Sequence, residues 1–411
     1  MIDIKLIREN LDLVKRKLQD RGAKVDIDRI VNLDKERRRL IAEIENLKAE
    51  KNKLTAADAV KGKEIKEKIK NLEPELEKIE KEFNNLMLKV PNLPLDDVWV
   101  GKDARDNKVI KKVGAVPSSP KATAGKKDYL EIAEKLDIID VDRAAKISGA
   151  RFGYLKGGAA LLEFGLIQLV VDVLTKEKFI PVFPPVMIKP EMAAGMGYLE
   201  QTGDEEAYFI EKDKLYLVGT AEQSLGTMHA NEVFNEKELP RRYAGFSTCF
   251  RREAGSYGKD TKGILRVHQF DKFEMFIFSK PEDSTKEHKL LLSLEEKLMK
   301  LLEIPYRVVQ LCTADLAAPS ASTYDIEAWM PGQGDYRETH STSNCTDFQA
   351  RRLNIRYKTK DGRINFVHTL NGTAFAMGRT IIAIIENYQQ KDGSIKVPEV
   401  LQKYIKIKEI K

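Results

Sequence analysis

Cys249–Phe278 reads CFRREAGSYGKDTKGILRVHQFDKFEMFIF, and the rest of the chain is organised around this stretch. FSTCFRRE (Phe246–Glu253) and VHQFDKFEMFIF (Val267–Phe278) are rich in aromatic and β-branched residues, whereas AGSYGKDTKG between them is glycine-rich and polar. That pattern predicts two antiparallel strands joined by a long loop. Side chains two apart in a strand share a face, so Arg251 and Glu253 are expected to project together, as are His268, Phe270, Lys272 and Glu274. Charge is rarely buried without a partner, so a face mixing Arg, Glu and Phe either lines a ligand cleft or is a solvated face with cross-strand ion pairs.

Composition limits the alternatives. A chain of 411 residues has room for two or three domains with one sizeable core. Its net charge of +6 leaves any nucleic-acid contact to local basic patches. Cys249, Cys312 and Cys345 lie far apart with no CxxC spacing, which argues against a zinc site or a disulfide framework and fits a reducing cytosol. The opening MIDIKLIREN does not read as a signal peptide, and no apolar run approaches the length needed to cross a bilayer, so a soluble cytoplasmic protein without a membrane partner is expected.

At the N-terminus, Ile4, Ile7, Leu11, Val14 and Leu18 predict one short amphipathic helix ending near Val25. Two heptad series follow, the first from Ile30 to Leu54 and the second from Ile65 through Ile69, Leu72, Leu76, Ile79, Phe83 and Leu86 to Val90. TAADAVKG between them is too short for a parallel return, so an antiparallel hairpin over about 27–90 is expected, an arm of roughly 40 Å at 1.5 Å per residue. Pro74 is expected to bend the second helix, and Arg37 and Lys51 interrupt the seam of the first. Lys48, Lys51, Lys53, Lys61, Lys63, Lys66, Lys68 and Lys70 cluster in the distal half, as either a solvated face or an RNA contact. PNLPLDD ends the hairpin, and the expected organisation is an N-terminal domain over 1–110, a linker over 111–128 containing GAVPSSPKATAGKK, and a second domain over 129–411.

FRREAG, a loop and LRVHQFDKFE resemble motif 2 of the class II aminoacyl-tRNA synthetases, and the wording is similar to that of the seryl-tRNA synthetases of bacterial type. The long apolar helix and the strand ending at Pro181, Pro184 and Pro185 resemble motif 1, through which the family forms homodimers. LNGTAFAMGRTIIAII resembles motif 3, in which Gly378 would permit a tight turn and close ligand approach. The implied fold is α+β: an N-terminal antiparallel helical hairpin, or coiled-coil arm, followed by a catalytic domain with a mostly antiparallel sheet flanked by helices. No GxGxxG follows a strand, which disfavours a Rossmann-type synthetase.

The resemblance also implies a ligase reaction, in which L-serine and ATP give seryl-adenylate and the seryl group passes to tRNA(Ser) held by the arm. It leaves tRNA(Sec) open as a second acceptor. It implies that Thr220, Glu222, Glu274 and Thr373 hold serine, with Arg251 between its carboxylate and the α-phosphate. Glu253 and the Val267 backbone would read adenine, Phe270 would stack on it, and Arg379 would take the γ-phosphate. Glu338 and Ser341, an E-x-x-S pair, would hold Mg2+ on the ATP phosphates. On residue chemistry, a TxE triplet in an extended segment places hydroxyl and carboxylate on one face, suited to a small hydroxyl and an ammonium. A spacing of three does not put Glu338 and Ser341 on one face of a regular strand, so a bend or bulge is expected there. Two rival readings predict other residues. An RNA-binding scaffold with a degenerate synthetase domain predicts losses at Arg251, Glu253, Glu338 or Arg379, and all four are present; a ligase charging a carrier protein predicts no arm.

Overall fold

The computed structural model describes residues 1–55, 58–116, 125–198, 206–254 and 262–411. Two compact units, Met1–Leu93 and Pro94–Lys411, divide the chain. The tip pair 56–57, the centre of the expected linker (117–124) and most of the loop after Arg251–Glu253 (255–261) lie outside the described residues.

In the first unit the expected single N-terminal helix is two, α1 (Ile4–Glu9) and α2 (Leu11–Asp20), because Asn10 leaves the helical region at φ −136° and ψ 46°. Helix α3 (Ile27–Lys51) starts on Asp26, whose carboxylate accepts the Arg29 N–H at 2.9 Å. Helix α4 (Ala59–Lys89) runs on through Pro74. Arg29 pairs with Glu82 at 2.7 Å, Lys48 with Glu73 at 3.0 Å and Lys61 with Glu50 at 2.8 Å, so one sequence number rises as the other falls and the hairpin is antiparallel. Ile30, Leu33, Leu40 and Ile44 are buried on α3, with Ile65, Ile69, Ile79, Phe83 and Met87 on α4, so Met87 takes the place expected for Leu86. The seam is wet at one level: Asp34, only 1% exposed, draws Arg8, Arg37 and Arg38 to within 3.4 Å, and the Arg37 guanidinium lies over the Phe83 ring.

The second unit is built on eight strands, β1 (Lys108–Val113), β2 (Ile180–Val182), β3 (Arg241–Phe250), β4 (Gln269–Ser279), β5 (Tyr306–Gln310), β6 (Ser322–Met330), β7 (Asp335–Asn344) and β8 (His368–Ala376). Their order is β1-β5-β6-β7-β8-β4-β3-β2, antiparallel throughout except for β2 beside β3. The units divide at Leu93, earlier than residue 110, and residues 111–113, expected as linker, lie in β1. KVIKKV shows no alternation because β1 is an edge strand exposed on both faces, and its lysines discourage edge-to-edge pairing. At the other edge, β2 accommodates Pro181, which has no N–H to offer a further strand.

Both faces of β4 are covered, which accounts for its near-continuous apolar run. Phe273, Met275 and Ile277 enter the main core with the helices Gly157–Leu174, Ser284–Leu301 and Met377–Tyr388, whereas Phe276 and Phe278 enter a second cluster with Leu225, Tyr243 and Leu353. Lys272 and Glu274 share the parity of Phe276 and Phe278, so the charged half of β4 continues the face of the second cluster. The helix Gly157–Leu174, extended by a turn to Glu177, is apolar and long enough to span a bilayer, which corrects the sequence expectation. Its Leu162, Leu166, Leu169 and Val170 are buried in the main core.

Candidate active site

Strand β3 stops at Phe250, so Arg251 and Glu253 do not share a strand face as expected. The backbone turns away instead: the Arg251 N–H still bonds His268 O at 2.9 Å, but Glu253 adopts φ +52°, a left-handed conformation uncommon outside glycine. Three contacts fix the turn. Arg151 donates to the Glu253 carbonyl at 3.4 Å, Arg266 donates to the Glu253 carboxylate at 3.1 Å, and Arg251 Nε donates to Gly219 O at 3.1 Å. The Arg251 guanidinium lies 5.3 Å from the centre of the Phe270 ring, a cation–π contact that keeps its fork extended.

Two adjoining cavities meet at this turn. A larger one, about 410 Å³, is lined by Tyr198, Thr220 and Gln223 among others; a smaller one, about 120 Å³, is lined by Val267, Phe270, Glu338, Ser341, Thr373 and Arg379 among others. Arg251 and Glu253 line both. Residues predicted from five separate segments are thus brought to one place. The exceptions are Glu222 and Glu274, which line neither cavity and are buried behind Thr220.

Thr220 and Glu222 are not on a strand. Thr220 is the N-cap of the helix Ala221–Thr227, and its hydroxyl accepts the Glu222 N–H at 3.3 Å while donating to Glu274 Oε2 at 2.9 Å. Thr220, expected as a ligand-site residue, is thus a helix cap as well. Glu222 is fully buried and accepts from Tyr198 OH at 2.7 Å and from Gln349 and Asn371 side-chain amides at 3.0 Å each. Burial, and next the neighbouring Glu274 charge, raise its carboxyl above the ordinary range. Lys272 forms an ion pair with Glu274. Two buried carboxylates this close make a site that favours a cation.

On β7 the expected irregularity is present: Ile326 pairs with His340 and Glu327 with Glu338, which leaves Thr339 as the extra residue of a bulge. The bulge restores Glu338 and Ser341 to the same side, and both line the smaller cavity. Arg379, in the first turn of the helix Met377–Tyr388, donates to Glu338 O at 2.9 Å and approaches Glu338 Oε2 at 3.3 Å. Gly378 beside it does not have positive φ; a Cβ there would lie 3.4 Å from Ile264 O, so close backbone approach rather than turn geometry is what it provides.

Among the described residues no group of three or more His, Cys, Asp or Glu is placed to hold a metal ion alone. The donor set still suits magnesium, a hard cation that takes few protein oxygens and completes its shell with phosphate and water. Asp325, paired with Ser341 across β6 and β7, accepts the Ser341 hydroxyl and is half-buried, and its Oδ1 is buried with no hydrogen-bond partner among the described residues. Burial, and then the Glu338 charge, push this carboxyl well above its usual range. An orphaned, buried carboxylate oxygen behind Glu338 and Ser341 fits a place that a bound cation would neutralise.

Tyr198, Lys272 and Arg266 line the two cavities and Gln349 and Asn371 donate to Glu222, and all five are absent from the sequence-based set. Asn371 carries a readable signal, since it stands two before Thr373 on β8. Lys272 does too, between Phe270 and Glu274. Tyr198 and Gln349 have no local signal, because each reaches Glu222 from an otherwise ordinary segment.

Comparison with known proteins places the chain in a family. Residues 1–94 match the seryl-tRNA synthetase N-terminal domain, and residues 208–388 match the tRNA synthetase class II core domain (G, H, P, S and T). The serine–tRNA ligase of Dictyoglomus thermophilum is 47% identical, with 100% of this chain and 99% of the relative covered, and that of Thermobifida fusca is 45% identical over 98% and 97%. The crystal structure of seryl-tRNA synthetase from Pyrococcus horikoshii complexed with ATP superposes with a TM-score of 0.93 at 43% identity, covering 100% of this chain and 99% of that one. A cytoplasmic serine–tRNA ligase from Naegleria fowleri in complex with AMP gives 0.91 at 34% identity, covering 100% and 99%. With matches that run the full length of both chains, and an N-terminal domain as well as a core in agreement, the chain belongs to the seryl-tRNA synthetase family of class II aminoacyl-tRNA synthetases.

Proposed function

We propose a division of labour for the family's reaction, in which L-serine and ATP give seryl-adenylate and pyrophosphate and the seryl group then passes to the terminal ribose of tRNA. Serine lies over Thr220 and Thr373, with its ammonium toward Glu222 and Glu274. ATP occupies the smaller cavity, with adenine against Phe270, the Val267 backbone and Glu253, and the γ-phosphate on Arg379. Arg251 spans the serine carboxylate and the α-phosphate. Its lining of both cavities is the observation that supports this assignment most directly.

Little covalent chemistry is asked of the protein: aligning the carboxylate with the α-phosphorus and neutralising the developing charge supply most of the acceleration. Glu338 and Ser341 would hold Mg2+, which would supply charge neutralisation on the phosphate oxygens.

Replacing Arg251 by Lys keeps the charge and loses the planar fork. ATP–pyrophosphate exchange is expected to fall about 100-fold, the scale of losing one preorganised donor, with the melting temperature unchanged. A fully active variant removes Arg251 from the site, and an unfolded one makes it a structural ion-pair residue.

The acceptor is tRNA(Ser), held through α3 and α4, whose distal lysines are exposed. The chain works as a homodimer through the motif 1 elements; Phe164 and Ile180 stand exposed there, and Phe183, just past β2, is 83% exposed, a surface that association would cover. Cys249, Cys312 and Cys345 are buried and joined by no disulfide among the described residues, which supports a reducing, cytoplasmic setting. The decisive experiment is ATP–pyrophosphate exchange across the amino acids, followed by charging of tRNA(Ser) and tRNA(Sec). Serine-dependent exchange is expected. Preference for another amino acid overturns the assignment.

A further inference from the structure

Lys272 touches two places at once. On β4 it stands two residues before Glu274, and its ammonium forms an ion pair with Glu274 Oε2, the oxygen that also accepts the Thr220 hydroxyl at 2.9 Å. Yet the same side chain lines the smaller cavity together with Arg251, Glu338, Ser341 and Arg379. It is 8% exposed and Glu274 only 1%, so this is a buried pair.

Glu222 and Glu274 differ in how they are satisfied. Glu222 is held by three donors that carry no charge, from Tyr198, Gln349 and Asn371. Among the described residues Glu274 has one neutral donor, Thr220, and the Lys272 ammonium. Desolvating two neighbouring carboxylates without a cation is costly, so Lys272 supplies one. An ammonium brought to Glu274 competes with Lys272 for the same single negative charge, since a second cation gains less from a carboxylate that is already paired with one.

We propose that Lys272 is a placeholder cation: it occupies the ammonium position on Glu274 in the absence of amino acid, and serine displaces it into the nucleotide cavity, where it becomes a phosphate-positioning residue. The inference rests on the assignment of serine to Glu222 and Glu274. The flexible four-carbon stem allows the ammonium to turn without backbone movement. Once released, Lys272 lies among groups assigned to the ATP phosphates, so each substrate favours the other. By linkage the effect is reciprocal: ATP that draws Lys272 away opens Glu274 for serine.

The test is calorimetric titration of serine into the full-length protein, alone and with a non-hydrolysable ATP analogue plus Mg2+. In the parent, the analogue is expected to tighten serine binding about tenfold, within the usual range of coupling between sites. In Lys272→Gln there is no ammonium to displace, so serine alone binds at least as tightly as in the parent, while the tightening by the analogue disappears. Serine binding to Lys272→Gln that is much weaker than in the parent, or a coupling that survives intact, makes Lys272 a permanent structural partner of Glu274 and overturns the proposal.

Thermal melting shows whether Lys272→Gln is folded. If it is not, Lys272→Arg decides: a planar fork grips the carboxylate harder, so serine alone is expected to bind more weakly than in the parent, and unchanged affinity with unchanged coupling overturns the displacement. A parent protein that fails to bind serine with or without the analogue removes the serine assignment itself, an outcome distinct from a parent that binds serine with no contribution from Lys272.

Discussion

Alanine should be activated about ten-thousand-fold less efficiently than serine, measured as kcat/KM for ATP–pyrophosphate exchange, because a site that hydrogen-bonds a substrate hydroxyl leaves its own polar groups unpaired when the hydroxyl is missing. The floor assigned to serine is made of such groups: Thr220 and Thr373 are buried, and Glu274, paired with Thr373 across β4 and β8, is buried with them. Apolar pockets discriminate a missing methylene only about 10- to 200-fold, so the size of the ratio separates a polar from an apolar recognition mechanism. Comparable efficiencies for the two amino acids would sink the serine assignment.

Shortening the arm is expected to separate activation from transfer. The cut is placed by the structure. Arg8 and Asp34, Lys15 and Asp28, and Arg21 and Asn92 O bind α1, α2 and the loop after α2 to the base of the hairpin, so a deletion from residue 28 onward would strip these segments of their partners. Removing 42–76 and joining Ile41 to Glu77 by a short Gly/Ser turn keeps that base and takes away Lys48, Lys51, Lys53, Lys61, Lys63, Lys66, Lys68 and Lys70, all exposed. Exchange is expected near the parent level. Aminoacylation is expected to fall on the order of 1,000-fold, the scale of losing about half a dozen phosphate contacts at moderate salt. A plot of log affinity for tRNA against log salt should be steep for the parent and shallow for the shortened protein. Equal charging, or an unchanged slope, would make the hairpin a structural element.

How far the sequence reached depends on how local each determinant is. The heptads of α3 and α4 are local, and the hairpin follows from them and from the shortness of the turn. The bulge at Thr339 was expected from a spacing that a regular strand does not satisfy, and the register of β6 on β7 shows it. Arg251, Glu253, Phe270, Glu338, Ser341, Thr373 and Arg379, expected on the resemblance of their motifs to one site, do line one pair of cavities. β1 was missed because an edge strand with neither face buried has no alternation to read. The apolar spacing predicts one N-terminal helix where there are two, because Asn10 interrupts the backbone without interrupting that spacing.

By itself, then, the sequence determined the hairpin, the strand and helix character of the motifs, and which residues carry the charge, since these depend on neighbours within one turn or two strand residues. Only the tertiary structure decided what those charges meet. Thr220 reaches Glu274 across 54 residues, Gln349 reaches Glu222 across 127 and Asn371 reaches it across 149. Such contacts follow from strand order and from the placing of short helices over the sheet, and periodicity along the chain, which reports only the face a side chain takes, holds no information about the partner waiting on that face.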